Sequence, residues 1–224
     1  MFNSKYGDIL TVVLIVIIIA IIGLLGFWAY DVYTRNDAKA DAGDAINEFN
    51  NRVTNTNKNN VTNNAIENVA KPTVNGVTSG DITTSGGTTQ KLYKGFVMVG
   101  YIQIPKTGIE YPVLKDASKK AIETSVAILY GPGLNKVGNT VIIGHNYRNG
   151  MFFSDNAKIS VGDKIYITDL NGNKVTYIVY NTYETTPEDS DFMTRDTNGA
   201  MEITLSTCTD DVSGRIIIWA RAEQ

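Results

Sequence analysis

From Ile9 to Tyr30 the chain reads ILTVVLIVIIIAIIGLLGFWAY, 22 residues without a charged side chain. At about 1.5 Å per residue, a helix of that length crosses a hydrocarbon layer of about 30 Å. The run closes on Trp28 and Tyr30, ring types that settle at a membrane interface, and shows no small-x-small cleavage pattern. It predicts an uncleaved anchor, residues 9–30, behind a short cytoplasmic head, residues 1–8. Ala42, Ala45, Ile46 and Phe49 then recur at helical spacing and predict a helix over Asp37 to Val53. Beyond it polarity takes over. Asn50 to Asn64 holds eight Asn in fifteen residues, and no aromatic residue occurs between Phe49 and Tyr93. So little apolar surface does not offset the entropy of ordering, and residues 31–91 are expected to be a helix followed by an Asn/Thr-rich spacer.

From residue 92 to 224 the apolar pattern shortens to the period of a β-strand. It predicts strands over Phe96 to Ile104, Tyr111 to Leu114, Val126 to Leu129, Thr140 to Gly144, Lys164 to Thr168, Lys174 to Tyr183, Glu202 to Cys208 and Arg215 to Arg221. Asn171-Gly172 marks a tight hairpin between two of them. Short helices fit Ala117 to Glu123 and Met151 to Lys158. Eight short strands predict a mainly β domain, a barrel or a sandwich.

Charge and composition narrow the chemistry. With 20 Lys+Arg against 23 Asp+Glu, the net charge of -3 leaves no basic footprint for nucleic acid. The single Cys excludes an internal disulfide, and the single His leaves a zinc site short of ligands. The acidic residues Glu188, Asp189 and Asp191 read as a solvated run, so neither a metal nor a cofactor is expected.

Three residues stand out. In ITLSTC, Ile203 and Leu205 would take the core face and turn Cys208 outward. A lone Cys is otherwise a small buried hydrophobe, but an unpaired thiol outside a membrane is an oxidation liability. His145 follows the apolar strand TVIIG and is the sole imidazole available to a thiolate; alone, it reads equally well as a structural histidine. If Glu202 to Cys208 and Arg215 to Arg221 form a hairpin, Arg215 falls beside Cys208 as a fork of donors for an oxyanion. A solvated edge charge is the plain alternative.

In combination, TLSTC with Cys208, the following GRIIIWA with Arg215, GNTVIIGHNYRNGMFF with His145, GYIQIPKTGIEYPVL and VGDKIYI resemble the sortases, membrane-anchored cysteine transpeptidases of Gram-positive bacteria. The resemblance implies an eight-stranded β-barrel held outside the cell membrane by a single-pass anchor. It implies His145, Cys208 and Arg215 as catalytic residues. It also implies an LPxTG-type sorting signal cleaved through a Cys thioester, with transfer to an amine of the cell wall or of a pilin. The expected partners are surface proteins or pilins bearing that signal and an amine acceptor such as a peptidoglycan precursor. Ser206 and Thr207, and Phe192 and Met193 of the segment Thr185 to Gly199, are expected substrate contacts. TLSTC and the Tyr-Pro of IEYPVL are similar to class B, whereas the short connection before Cys208 is not, so the class stays open. A peptidase using water as acceptor and a non-catalytic binding module are the rival readings.

Overall fold

The computed structural model describes residues 4–59, 79–83 and 89–223. The first three head residues and much of the expected spacer, residues 60–78 and 84–88, lie outside the described residues. The chain forms two compact units, residues 1–40 and 41–224. Helix α1 is Ser4–Asn59. In the first unit its apolar side chains between Ile9 and Tyr30 are exposed, and the helix is long and apolar enough to cross a membrane. The expected helix over Asp37 to Val53 belongs to this same element, since no Pro interrupts residues 31–59.

The second unit is a barrel. Its strands are β3 (Phe96–Ile104), β4 (Ile109–Leu114), β5 (Val126–Tyr130), β6 (Gly138–Ile143), β7 (Lys164–Asp169), β8 (Lys174–Thr185), β9 (Met201–Cys208) and β10 (Arg215–Ala222). They follow one another in space as β3-β4-β5-β6-β9-β10-β8-β7, and β7 pairs back onto β3. That closure removes the open edges of the eight-stranded sheet. The pairs β4–β5 and β6–β9 are parallel and the rest antiparallel. The interior is filled by one face of each strand, including Ile102, Ile104, Ile142, Ile165, Ile167, Ile203, Leu205 and Ile218, all fully buried.

The polar spacer is not entirely without structure. Strands β1 (Ser79–Thr83) and β2 (Thr89–Tyr93) pair antiparallel, with Ser79 opposite Tyr93, and β2 continues onto the start of β3. A ladder of backbone hydrogen bonds needs no apolar run, which is why composition did not announce it. The hairpin at Asn171-Gly172 is present, with Gly172 at φ +80°, and β7 and β8 are joined by four residues. Helix α2 (Lys119–Thr124) starts at Ser118, whose Oγ accepts from Ala121 N at 3.2 Å. The expected helix over Met151 to Lys158 shrinks to one 3-10 turn, Asn156–Lys158, because the backbone of Phe152 is left-handed, φ +48°.

Within the second unit, Ala42, Ala45, Ile46 and Phe49 of α1 form a second core with Tyr93, Met98, Tyr101, Leu114, Ala121 and Ala127. The helical stripe seen in the sequence is therefore a packing face on the outside of the barrel.

Candidate active site

Strand β9 alternates as its sequence predicts. Ile203 and Leu205 point into the barrel, and Glu202, Thr204, Ser206 and Cys208 form the opposite face. The neighbouring strands add to this face in register. Across β10 the pairs are Glu202 with Arg221, Thr204 with Trp219, Ser206 with Ile217 and Cys208 with Arg215. Across the parallel strand β6 they are Glu202 with Asn139, Thr204 with Val141 and Ser206 with Ile143. The outer face is thus a series of rows about 6.6 Å apart, polar at one end, apolar in the middle and carrying Cys208 and Arg215 at the other.

The row of Cys208 and Arg215 is set by register. The ladder extends one step past β6, since Gly144 N donates to Ser206 O at 3.3 Å and Thr207 Oγ1 donates to Gly144 O at 2.8 Å. His145 is the next residue after Gly144, just past the end of the strand that runs parallel to β9. Gly144 is required there, because a Cβ would lie 2.9 Å from both Phe153 Cδ2 and Val126 Cγ1. Cys208 is free and half-buried. Arg215, directly opposite it, donates from Nε to Pro187 O at 3.3 Å. Its Nη groups have no hydrogen-bond partner among the described residues.

Two residues that the motifs did not single out complete the site. Asn146 Nδ2 donates to Cys208 O at 3.0 Å and to Asp210 Oδ1 at 2.8 Å, tying the loop after His145 to the end of β9. The Tyr147 ring stacks on His145 at 5.0 Å between centroids. Both directly follow His145 in GHNY, and adjacency was the available signal. Asn146→Ala is expected to lower stability by about 1 kcal/mol, the usual net value of such a bond. Asn146→Asp should cost more, because its carboxylate would face Asp210 and the Cys208 carbonyl. Thermal melts of the two variants test that order.

The six residues between Cys208 and Arg215 are held by Asp211, which accepts from the hydroxyls of Thr209 and Ser213 and from Ser213 N. These hydrogen bonds, Thr209 first, bring its pKa down to about 2. A carboxylate depressed in the folded chain contributes fully above its unfolded value and loses that contribution as pH falls through the folded one. The loop is therefore expected to loosen between about pH 4 and pH 2, which amide exchange at Ser213 reads directly.

The other expected contacts separate. Ser206 lies on the Cys208 face, and its Oγ is buried without a hydrogen-bond partner among the described residues. Thr207 points to the opposite side, and its hydroxyl is engaged by Gly144. Phe192 and Met193 sit on or beside the short helix α3 (Asp191–Thr194) and pack over the apolar row with Val141, Ile143, Ile217, Tyr183 and Trp219. Among the described residues, no group of three or more His, Cys, Asp or Glu is placed to hold a metal ion.

The barrel is similar to known proteins. The chain is similar to Sortase A of Bacillus anthracis, 36% identical over 124 residues that make up 54% of this chain and 58% of that protein. It is also similar to Sortase A of Streptococcus agalactiae serotype III (strain NEM316), 28% identical over 57% of this chain and 53% of the relative. The chain thus spans little more than half the length of these curated relatives. Among solved structures, a lid mutant of Sortase A from Corynebacterium diphtheriae matches with a TM-score of 0.53 and 27% identity, over 58% of this chain and 72% of the other. Sortase C of Clostridium perfringens, solved with the C-terminal cell wall sorting motif, shares the fold at a TM-score of 0.51 and 23% identity, over 57% and 71% of the two chains. The Sortase domain family model matches residues 102–223, more than half of the chain and nearly all of the barrel that carries these rows, and the chain belongs to the sortase family.

Proposed function

We propose that the chain is a membrane-anchored cysteine transpeptidase that cuts an LPxTG-type sorting signal and transfers the protein bearing it to an amine. The observation that supports this reading is the pairing of Cys208 with Arg215 at one end of the barrel, with His145 following the strand parallel to β9 and an apolar row next to them. The Cys208 thiolate adds to the carbonyl carbon of the signal Thr, and Arg215 holds the oxygen as it gains charge. The Thr-Gly C–N bond breaks as His145 gives its proton to the departing amine, leaving a thioester on Cys208. An acceptor amine then attacks the thioester and passes a proton to His145, and the thiolate leaves. The unpartnered Ser206 hydroxyl, one row away, is suited to a backbone group of the bound signal. Met193, partly exposed and backed by the buried Phe192, offers apolar surface to its Leu-Pro part. The role assigned to Thr207 narrows to holding Gly144, since its side chain faces away from the thiol.

The acceptor is an amine of a peptidoglycan precursor or of a pilin lysine, and the long apolar stretch of α1 supports a single-pass membrane anchor for an extracytoplasmic enzyme. Incubating the protein with a library of five-residue signals and several amines, and weighing the products, tests the reading. An amide between the signal fragment and an added amine is the expected product. Hydrolysis alone in the presence of every amine would make the chain a peptidase, and no turnover of any signal would make it a binding module.

A further inference from the structure

The polar end of the outer face carries a buried network that the chemistry above does not use. The Glu202 carboxylate is fully buried and accepts from Arg195, from Tyr180 Oη at 2.7 Å and from Arg221 Nε at 2.7 Å. Arg195 comes from the loop between β8 and β9 and is itself almost wholly covered. Its guanidinium also donates to Tyr180 Oη at 2.8 Å and to Asn139 Oδ1 at 3.1 Å, and lies 4.7 Å from the centre of the Trp219 ring. Asn139 in turn donates to the carbonyls of Phe192 and Met193, both at 3.0 Å. Burial pushes the Glu202 carboxyl up, but the bonds from Arg195, Tyr180 and Arg221 outweigh it and hold the group below the usual range, so it stays charged. A charge desolvated this far is expensive unless its partners are fixed. The links made by Arg195 and by Asn139 Nδ2 run between strand residues and the two ends of one short segment, residues 192–195, whose apolar side chains pack over the row beside Ser206.

We infer that Arg195 is a positioning residue for signal recognition: by gripping Glu202 and Asn139, about 20 Å along the strands from Cys208, it pins the segment carrying Phe192 and Met193 over the apolar row. Arg195 touches neither the thiol nor the scissile bond. It fixes where the wall of the recognition groove stands, so its loss acts on binding of the signal and not on the chemical step. The inference rests on the function proposed above, and its test separates the two.

The full chain in detergent is compared with Arg195→Met, Arg195→Lys and Asn139→Ala. The last leaves the Arg195–Glu202 pair intact and removes the grip on the two carbonyls together with the Oδ1 that accepts from Arg195 and Thr204. Three quantities are read: hydrogen exchange of amides 186–200, kcat and KM for the best signal peptide from the library, and the rate at which iodoacetamide alkylates Cys208. Exchange in the segment should rise at least about tenfold in Arg195→Met and Asn139→Ala while β9 and β10 stay protected. KM should rise about tenfold, the loss of one charge-assisted bond's worth of binding, with kcat and alkylation within about twofold. Arg195→Lys should restore part of the KM, because it keeps the charge but cannot span both partners. Unchanged exchange, a freed segment with unchanged KM, or a fall in kcat and alkylation together would overturn the inference. So would melting of the whole barrel in both Arg195→Met and Asn139→Ala, since the network would then serve the core. If the unmodified chain turns over no signal, the proposed function fails, and the exchange data still decide whether the network holds the segment.

Discussion

Cys208→Ala is expected to abolish both thioester formation and transfer, since no second Cys exists to replace it. His145→Ala should lose most turnover, by about 100-fold to 10,000-fold, the usual worth of a positioned proton donor and acceptor. The discriminating part of this prediction concerns the last strand, which carries two arginines. Arg215 stands opposite Cys208, and Arg221 stands opposite Glu202 at the other end of β10. Six residues of extended chain separate them by about 20 Å, so one of the two reaches the thiol and the other does not. Arg215→Ala should cripple transfer, and Arg215→Lys should remain poor, because an ammonium keeps charge but loses the planar fork that fixes a carbonyl oxygen. Arg221→Ala should leave transfer near normal, since Glu202 keeps Arg195 and Tyr180 as partners. Single-turnover acylation by a signal peptide, with intact mass showing the thioester, reads all of these variants. Essential Arg221 with dispensable Arg215 would sink the assignment.

The barrel and the pairing of Cys208 with Arg215 were legible because both follow from strand alternation. Ile203 and Leu205 fix which way β9 faces, and that fixes Cys208; a short loop then forces Arg215 alongside it. Less legible was what covers the outer face. Glu202, Thr204 and Ser206 alternate with core residues, and in sequence that reads as a face open to water. In the structure all three are buried, because the segment around Phe192 folds down on them and Arg195 neutralises the carboxylate. An ion pair between a loop and a strand has no period, so nothing in the pattern marks it. The fate of the helical stripe at Ala42, Ala45, Ile46 and Phe49 was hidden for a related reason. The stripe itself is periodic, but its partners Tyr93, Met98, Tyr101 and Ala127 are scattered over strands whose other face fills the barrel. One-dimensional alternation does not reveal a strand that is buried on both sides.

That second core gives the largest expected effect on stability. Phe49 is almost fully buried and meets the Tyr101 ring edge-on at 5.7 Å, with Lys91 Nζ 4.0 Å above its own ring. Tyr101 Oη also donates to Asn50 Oδ1 at 3.2 Å, and Lys94 pairs with Asp41 at 2.6 Å. The ion pair is half-exposed and adds at most about 1 kcal/mol; the rings and aliphatic groups carry the contact. Removing a buried Phe side chain usually costs about 3–5 kcal/mol, from the lost transfer energy plus the cavity left behind. At about 2–4 °C per kcal/mol for a domain of this size, Phe49→Ala in the full chain should lower the melting temperature by about 6–20 °C. A protein starting at Leu92 would lose Ala42, Ala45 and Ile46 as well and expose Met98, Tyr101 and Ala127 to water, so its loss should be larger still and accompanied by a tendency to associate. Calorimetry on the three proteins decides the matter. If the piece from Leu92 melts where the full chain does, residues 41–53 contribute nothing to the stability of the barrel, and the apolar stripe on α1 has some other partner.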